Sequence, residues 1–162
     1  MAGNKTASLL ACACALGALA GGSEVDADRV HHIRQFGHHL GLAFQLVDDL
    51  LGIWGDPART GKPACRDLRA GKKSLPVVAA LATNSAAAHR LAALYLGGEP
   101  LSDNEVVEVA SLVDLAGGRA WTQRETGKHI GLALAHLDKA NPEPEPAAHL
   151  TALAHLLTRR DH

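Results

Sequence analysis

The 162-residue chain is long enough to form one folded domain with a buried core. Apolar residues make up 47% of it and aromatic residues only 3%, which favours closely packed helices over a β-sandwich. A net charge of −1 gives no reason to expect nucleic-acid binding. The three cysteines, Cys12, Cys14 and Cys65, do not form a disulfide framework, and we therefore expect a cytoplasmic protein.

The first twenty residues admit two interpretations. Lys5, a short apolar run and the small residues Ala18-Leu19-Ala20 together have the pattern of a secretory signal. The run is too short to span a bilayer as a helix, so no stable membrane insertion is expected. The alternative, which we prefer, is a buried helix whose inward face consists of Leu9, Cys12, Leu16 and Leu19.

A long apolar stripe runs from Val30 to Trp54. Its apolar residues recur at steps of three and four, which predicts one helix of about seven turns. Gly37 and Gly41 lie one turn apart on this helix, and we expect them to let another helix approach closely. The histidine pairs at 31–32 and 38–39 suggest a metal site, but no Cys or carboxylate stands at a helical spacing that would complete it. We therefore interpret these histidines as a solvated helix face.

The rest of the chain is predicted to form shorter helices. A loop from Asp56 to Gly71 precedes a helix that starts near Ser74, and an Ala/Leu-rich helix follows it. Ser102 and Glu105 form a capping-box pattern at the start of the next helix. After one more helix, the prolines in residues 141–146 predict an extended, non-helical connector before a last amphipathic helix.

No segment of the chain alternates convincingly between polar and apolar residues, as a strand would. We also find no internal repeat and no sign of a second domain. The sequence therefore predicts an all-α helical bundle that spans residues 1–162 as a single domain.

The chemistry of the chain is concentrated around two adjacent carboxylates. Asp48 and Asp49 stand among apolar residues of the long helix, where a carboxylate is costly to bury without a compensating cation. Hard oxygen ligands suit Mg²⁺, which often binds through one or two carboxylates together with substrate phosphates. The following loop supplies basic residues that could neutralise those phosphates: Arg59, Lys62, Arg66, Arg69, Lys72 and Lys73. A structural salt bridge between the aspartates and a neighbouring helix is the alternative.

Three sequence segments in this region resemble a known family. FQLVDD at 44–49, GDPARTGKP at 55–63 and DLRAGKKSLP at 67–76 together resemble the second aspartate-rich region of trans-prenyl diphosphate synthases, the polyprenyl synthetase family. The Lys5-Thr6-Ala7 segment is similar to the Lys-Thr element of the same family. The resemblance covers nearly the whole chain, as the C-terminal half of a family member. It implies the C-terminal part of the isoprenoid synthase fold.

The resemblance implies a prenyl transfer, in which isopentenyl diphosphate attacks the carbocation formed when an allylic diphosphate ionises with the help of Mg²⁺. In this scheme Asp48 and Asp49 would hold Mg²⁺ against the allylic diphosphate. The same resemblance assigns contact with that diphosphate, as a leaving group, to Lys5, Lys62 and Lys72.

Four further roles follow from the resemblance. Thr6 and Gln45 would line the site near the developing cation, and Phe44 would form a wall of the substrate channel. Asp67 would orient the basic loop. Because family members typically dimerise through helices, we expect a homodimer or association with a complete synthase.

The chain departs from the family pattern in two ways. The second motif is usually D-D-x-x-D, but Gly52 stands at the position of its third carboxylate, and Asp56 could only partly substitute for it. We expect this change to weaken metal binding or to shift it to water-mediated contacts. In addition, the family's first aspartate-rich motif and the basic residues that grip isopentenyl diphosphate do not occur in this sequence. We therefore expect a truncated form that is inactive alone.

Three alternative functions remain open. A non-catalytic partner subunit of a complete prenyl diphosphate synthase would explain the missing motif. A terpene cyclase shares the helical fold and the use of Mg²⁺ with diphosphate, but Gly52 and Asp56 stand where its metal ligands would be needed. A secreted binding protein would follow from the signal-like first twenty residues.

Overall fold

The computed structural model describes residues 6–21, 26–61 and 63–158. This part of the chain is helical and contains no strand. Its helices are α1 (Ser8–Ala20), α2 (Ala27–Trp54), α3 (Pro57–Thr60), α4 (Arg66–Arg69), α5 (Leu75–Leu81), α6 (Ala86–Tyr95), α7 (Asp103–Leu115), α8 (Gly118–Lys139) and α9 (Pro144–Thr158). The predicted all-α class is confirmed. No helix within these ranges has the length and apolarity needed to span a membrane.

The backbone contacts divide the chain into two compact units. Among the described residues, the first unit contains α1, α2 up to Gln45, α8 from Glu125 onwards, and α9. The second unit contains α2 from Leu46 onwards, α3 to α7, and α8 up to Arg124.

In the first unit, α1 packs closely against two glycines of α2. A Cβ atom added at Gly41 would lie 2.5 Å from the Cα atom of Ala7, and one added at Gly37 would lie 2.5 Å from the backbone oxygen of Leu10. Any larger residue at either glycine would separate the two helices. The predicted close approach at this glycine pair is therefore confirmed. The main buried residues of the unit are Phe36, Leu40, Ala133, Leu137 and Ala154.

The predicted inward face of α1 is wrong. Its large apolar side chains point to solvent, with 70% of Leu9, 60% of Leu16 and 57% of Leu19 exposed. The small residues Ala7 and Ala11 are buried instead. The reason is the glycine pair on α2, which demands a close partner surface that long side chains cannot provide.

The histidine pairs of α2 also differ from the prediction. His32 and His39 are partly buried, and each lies against a histidine of α8 within the first unit. The prediction of a solvated face holds for His31, which is exposed, but is wrong for His32 and His39, because it considered the spacing within α2 alone.

The second unit is built on an apolar core between short helices. The α7 helix contacts α4, α5 and α6, and α5 contacts α6. The α7 N-terminus has the predicted capping box, in which the Ser102 Oγ accepts from the Glu105 N–H and the Glu105 carboxylate accepts from the Ser102 N–H. The largest buried core residues are Ile53, Leu68, Val77, Leu91, Val106, Val109 and Val113.

The segment predicted as a loop between α2 and α5 contains two single-turn helices. Asp56 caps α3, because its carboxylate accepts a hydrogen bond of 2.9 Å from the Ala58 N–H. Gly61 ends α3 with a left-handed φ of 65°. The second short helix, α4, places Asp67 and Leu68 in the interior.

The prediction of a non-helical connector at residues 141–146 is partly wrong. The α9 helix starts at Pro144 and includes Pro146. Both prolines lie in the first turn, where the backbone N–H groups have no partner within the helix, so the missing proline N–H costs nothing there.

Candidate active site

Asp49 is held by two groups from the segment that follows α4. Its side chain lies on α2 and is only 3% exposed. Its Oδ1 atom accepts a hydrogen bond of 2.9 Å from the Lys72 Nζ, and its Oδ2 atom accepts one of 2.9 Å from the Leu75 N–H. Asp49 therefore ties the start of α5 to α2. The alternative of a structural ion pair holds for Asp49, although its partner comes from the basic loop and not from a neighbouring helix.

Asp67 is the second carboxylate that contacts Lys72. It lies on α4, is 3% exposed, and accepts a hydrogen bond of 2.6 Å from the Lys72 Nζ. The Arg66 guanidinium donates to its other oxygen at 2.9 and 3.0 Å. Burial favours the neutral acid, but the hydrogen bonds from Lys72 and Arg66 outweigh it and lower the pKa of Asp67.

Lys72 lies between these two carboxylates. Burial alone would lower its pKa, but the hydrogen bonds to Asp67 and Asp49 raise it, so the ammonium group stays charged. An ammonium group has three N–H donors, and the two aspartates use two of them. The Lys72 side chain is 42% exposed. A third donor is thus left for an anion that approaches from solvent.

The Lys72 backbone is fixed as well. Its N–H donates to the Asp67 carbonyl at 2.9 Å, and its carbonyl accepts from the Tyr95 hydroxyl at 2.9 Å. Sequence reasoning missed Tyr95, which stands on α6, twenty-three residues away. A tyrosine has no sequence pattern that links it to a distant backbone carbonyl, so no signal could have found it.

Asp48 differs from its neighbour Asp49. It is half-buried, and it forms no ion pair with any residue in the described ranges. Its carboxylate is therefore the one that remains available to a cation.

Thr6 and Gln45 meet within the first unit. The Thr6 hydroxyl donates a hydrogen bond of 3.2 Å to the Gln45 side-chain oxygen. Phe44, the adjacent residue on α2, is half-buried. Lys5 and Lys62, which were predicted to contact a diphosphate, lie outside the described residues.

The oxygen ligands for a metal ion are few. Among the described residues, no three His, Cys, Asp or Glu side chains converge on one point. Both oxygens of Asp49 accept hydrogen bonds from Lys72 and Leu75, so the Asp48 carboxylate is the one offered to a cation. A single carboxylate fits a cation that takes one or two protein carboxylates and completes its shell with water and phosphate oxygens. Mg²⁺ has this preference.

Comparison with known proteins identifies the family. The sequence model of the family described as polyprenyl synthetase matches residues 1–113. The chain belongs to the polyprenyl synthetase family. This polyprenyl synthetase chain is 47% identical to a geranylgeranyl diphosphate synthase of Mycobacterium tuberculosis, in an alignment that covers 99% of the chain and 44% of that relative. It is 42% identical to a (2E,6E)-farnesyl diphosphate synthase of the same species, of which it covers 45%.

Solved structures support the same assignment. A polyprenyl synthetase from Streptomyces coelicolor superposes with a TM-score of 0.91 at 44% identity, over 96% of this chain and 47% of that one. A geranylgeranyl pyrophosphate synthase from Corynebacterium glutamicum, complexed with calcium and isoprenyl diphosphate, gives a TM-score of 0.82 at 31% identity, over 98% of this chain and 48% of that one. The fold of this chain therefore matches about half of an isoprenyl synthase. The polyprenyl synthetase chain spans about half the length of these relatives.

Proposed function

We propose that this chain forms part of a Mg²⁺-dependent prenyl diphosphate synthase, a transferase that condenses isopentenyl diphosphate with an allylic diphosphate. The observation that carries the proposal is the position of Lys72, held between the buried carboxylates of Asp49 and Asp67. Asp48 stands beside this cluster without an ion-pair partner in the described part of the chain. The cluster combines an oxygen ligand for a cation with a donor for a diphosphate.

Asp48 and Asp49 would hold Mg²⁺ in this assignment. The carboxylate of Asp48 is the more accessible of the two, so we assign it the direct contact, and Asp49 the support. When bound, Mg²⁺ would neutralise charge on the diphosphate and so favour its departure. A structure of the related Corynebacterium glutamicum enzyme is described as a complex with isoprenyl diphosphate and magnesium, which supports the choice of metal.

Lys72 would donate its remaining N–H to a diphosphate oxygen. Because both aspartates fix the ammonium group before the anion arrives, little reorganisation is needed when negative charge develops on the leaving group. Lys5 and Lys62 would add positive charge to the same anion, an assignment that rests on the family resemblance. Asp67 would act as a positioning residue, since it touches Lys72 and not the substrate.

The family resemblance also assigns substrate contacts to three residues of the first unit. Thr6 and Gln45 already share a hydrogen bond, which limits the rotation of both side chains. We assign them to the region near the developing carbocation, and Phe44 to the wall of the channel. Both assignments rest on the resemblance to the family.

The 162 residues span about half the length of the relatives, so we assign them a part of the reaction site. We propose that the isolated chain binds diphosphate but does not elongate it. It would act as a homodimer or together with a complete synthase. The same half-length coverage favours a second candidate, a non-catalytic subunit that modulates a complete synthase.

Binding of geranyl diphosphate to the purified chain tests the proposal. In a calorimetric titration, we expect binding that requires Mg²⁺ and that weakens at least about tenfold in Asp48→Asn, since a lost charge contact of about 1.4 kcal/mol corresponds to that factor. Glu99→Gln, which removes a carboxylate from an exposed position outside the site, is the matched control. Equal binding by wild type and Asp48→Asn would remove Asp48 from the metal site.

Incorporation of labelled isopentenyl diphosphate distinguishes the two candidate functions. We expect no elongation by the chain alone. If adding the chain to a complete synthase changes the rate or the product length, the subunit function is favoured. Rapid turnover by the isolated chain would contradict the assignment of only a part of the site.

A further inference from the structure

A row of histidines lies between α2 and α8 within the first unit. The Nδ1 atoms of His32 and His136 are 3.0 Å apart, and those of His39 and His129 are also 3.0 Å apart. The rings of His39 and His136 stack with their centroids 5.6 Å apart and so connect the two pairs. Four imidazoles, two from each helix, thus form a continuous row.

Three of the four imidazoles in the row, those of His39, His129 and His136, have a lowered pKa. Burial, followed by the charge of His129, lowers the pKa of His39 to about 4. Burial also lowers the pKa of His129 and of His136. In each pair one ring can then donate its N–H while the other accepts. A neutral imidazole is also the form that binds a metal ion.

We propose that each of these two histidine pairs is a chelating site for a first-row transition-metal dication, Zn²⁺, Cu²⁺ or Ni²⁺. The nitrogen separation fits this ligand class. A tetrahedral zinc ion with Zn–N bonds of about 2.0–2.1 Å sets its ligand nitrogens about 3.3 Å apart. Each pair therefore needs to open by only about 0.3 Å, with a rotation of the rings that turns both lone pairs towards the ion.

The coordination shell would be completed by water. No third His, Cys, Asp or Glu side chain converges on either pair in the described ranges. Imidazole nitrogen suits Zn²⁺, Cu²⁺ and Ni²⁺, whereas Mg²⁺ prefers carboxylate and water oxygens. The histidine sites therefore differ in metal class from the aspartates of the proposed function, and this inference goes beyond that function.

The neighbouring charges make the two sites unequal. Ions at both pairs would repel each other, because the row is short. Glu125 and Lys128, which form an ion pair, both lie near His129, and the carboxylate has the larger effect of the two and opposes the lowering of the pKa of His129. Lys139 lies near His136 and adds positive charge there. We expect the first ion to bind at His39 and His129, and the second to bind more weakly at His32 and His136.

Metal binding at either pair would link α2 to α8. The two rings of each pair belong to different helices, so an ion that binds both rings binds the folded first unit and not the unfolded chain. By mass action, such an ion raises the unfolding temperature as its concentration rises. The structure thus assigns a stabilising metal link to this interface.

Titration of the metal-free full chain with ZnCl₂ and CuCl₂ tests the proposal. We expect about two ions per chain, one per pair, with unequal affinities. His129→Gln and His136→Gln should each lose one ion, and the double variant should lose both. His89→Gln, at an exposed histidine of the second unit, is the control and should bind as wild type does. A double variant that keeps the wild-type stoichiometry overturns the proposal.

A measurement on the unmodified chain covers the case in which a variant fails to fold. The paramagnetic resonance spectrum of one equivalent of Cu²⁺ should contain coupling to two imidazole nitrogens, and the unfolding temperature should rise more with Zn²⁺ than with the same concentration of Mg²⁺. Coupling to a single nitrogen, or equal effects of Zn²⁺ and Mg²⁺, would exclude the chelating pairs. Because both readouts are independent of diphosphate binding, failure here leaves the proposed function untouched.

Discussion

Gly52 lies directly against the carboxylate of Asp67. A Cβ atom added at Gly52 would fall 2.3 Å from the Asp67 Oδ2 atom and 2.4 Å from its Cγ atom. That carboxylate cannot simply swing aside, because Lys72 and Arg66 both hold it. The space next to α2, one turn after Asp48, is therefore filled by a carboxylate from α4. A residue with a side chain at the third position of the D-D-x-x-D pattern would therefore require the Asp67 carboxylate to move.

Gly52→Ala should destabilise the protein by about 1–3 kcal/mol, since overpacking of this size displaces neighbouring groups. The cost should fall clearly when Asp67 is also replaced by Ala, because the clash partner is then gone. Urea unfolding of the two single variants and the double variant gives the coupling energy. Gly127→Ala, where an added Cβ meets nothing within 4 Å, is the control and should cause no loss. Additive effects at positions 52 and 67 would refute the contact.

The adjacent aspartates should differ in their effect on stability. Asp49→Asn weakens the bonds to Lys72 and Leu75 N–H, and we expect a loss of about 1–3 kcal/mol, the range for buried hydrogen bonds to charged groups. Asp48→Asn removes no ion pair among the described residues and should change stability by less than about 0.5 kcal/mol. Urea unfolding of both variants compares them directly. If both variants lost the same free energy of unfolding, Asp48 would also make a contact that stabilises the fold.

The titration of Tyr95 should lower the free energy of unfolding at alkaline pH. Burial, and then the charge of Asp67, raises the pKa of Tyr95 to about 12. An unfolded chain releases the phenol proton near pH 10. Between these values the folded state keeps a proton that the unfolded state loses, so the free energy of unfolding decreases as pH rises from about 10 to about 12.

Absorbance of the tyrosinate anion measures this titration, since Tyr95 is the single tyrosine of the chain. Tyr95→Phe should remove the titration and cost about 1 kcal/mol through the lost hydrogen bond to the Lys72 carbonyl. An apparent pKa near 10 in the folded protein would show that burial and the charge of Asp67 do not raise the pKa of Tyr95.

The three thiols should react at different rates. Cys12 is exposed, whereas burial raises the pKa of Cys14 and of Cys65 and so reduces their thiolate fraction. The Cys65 thiol also donates to the Ile53 carbonyl at 3.3 Å. With limiting iodoacetamide, peptide mass spectrometry should find Cys12 modified first. Modification of Cys14 at the same rate would contradict its packing against α2.

Features determined within a single element could be predicted from the sequence. The long α2 helix follows from a local apolar period, and the cap at Ser102 from a four-residue pattern. The glycine pair predicted a close helix partner because a missing side chain has a direct steric meaning. The resemblance to the second aspartate-rich region of the family was also visible in the sequence, because the segments that carry it lie within residues 44–76.

Features that depend on a distant partner could not be predicted. The prediction placed the large apolar residues of α1 on its buried face. In the structure, the close approach of α2 at Gly37 and Gly41 leaves room only for the small residues of this helix. Asp49 and Lys72 were both predicted as site residues, yet the bond between them joins positions that are twenty-three residues apart in sequence. The histidine row likewise needed α8 to be placed beside α2.

The exposed face of α1 bears on how the isolated chain behaves in solution. Leu9, Leu16 and Leu19 place three large apolar side chains along one side of a helix, and contiguous apolar surface of this kind promotes association. We expect light scattering that increases with protein concentration. Leu16→Lys should reduce it without lowering the free energy of unfolding, since the residue is 60% exposed. Self-association through this face of α1 would then limit the yield of the chain.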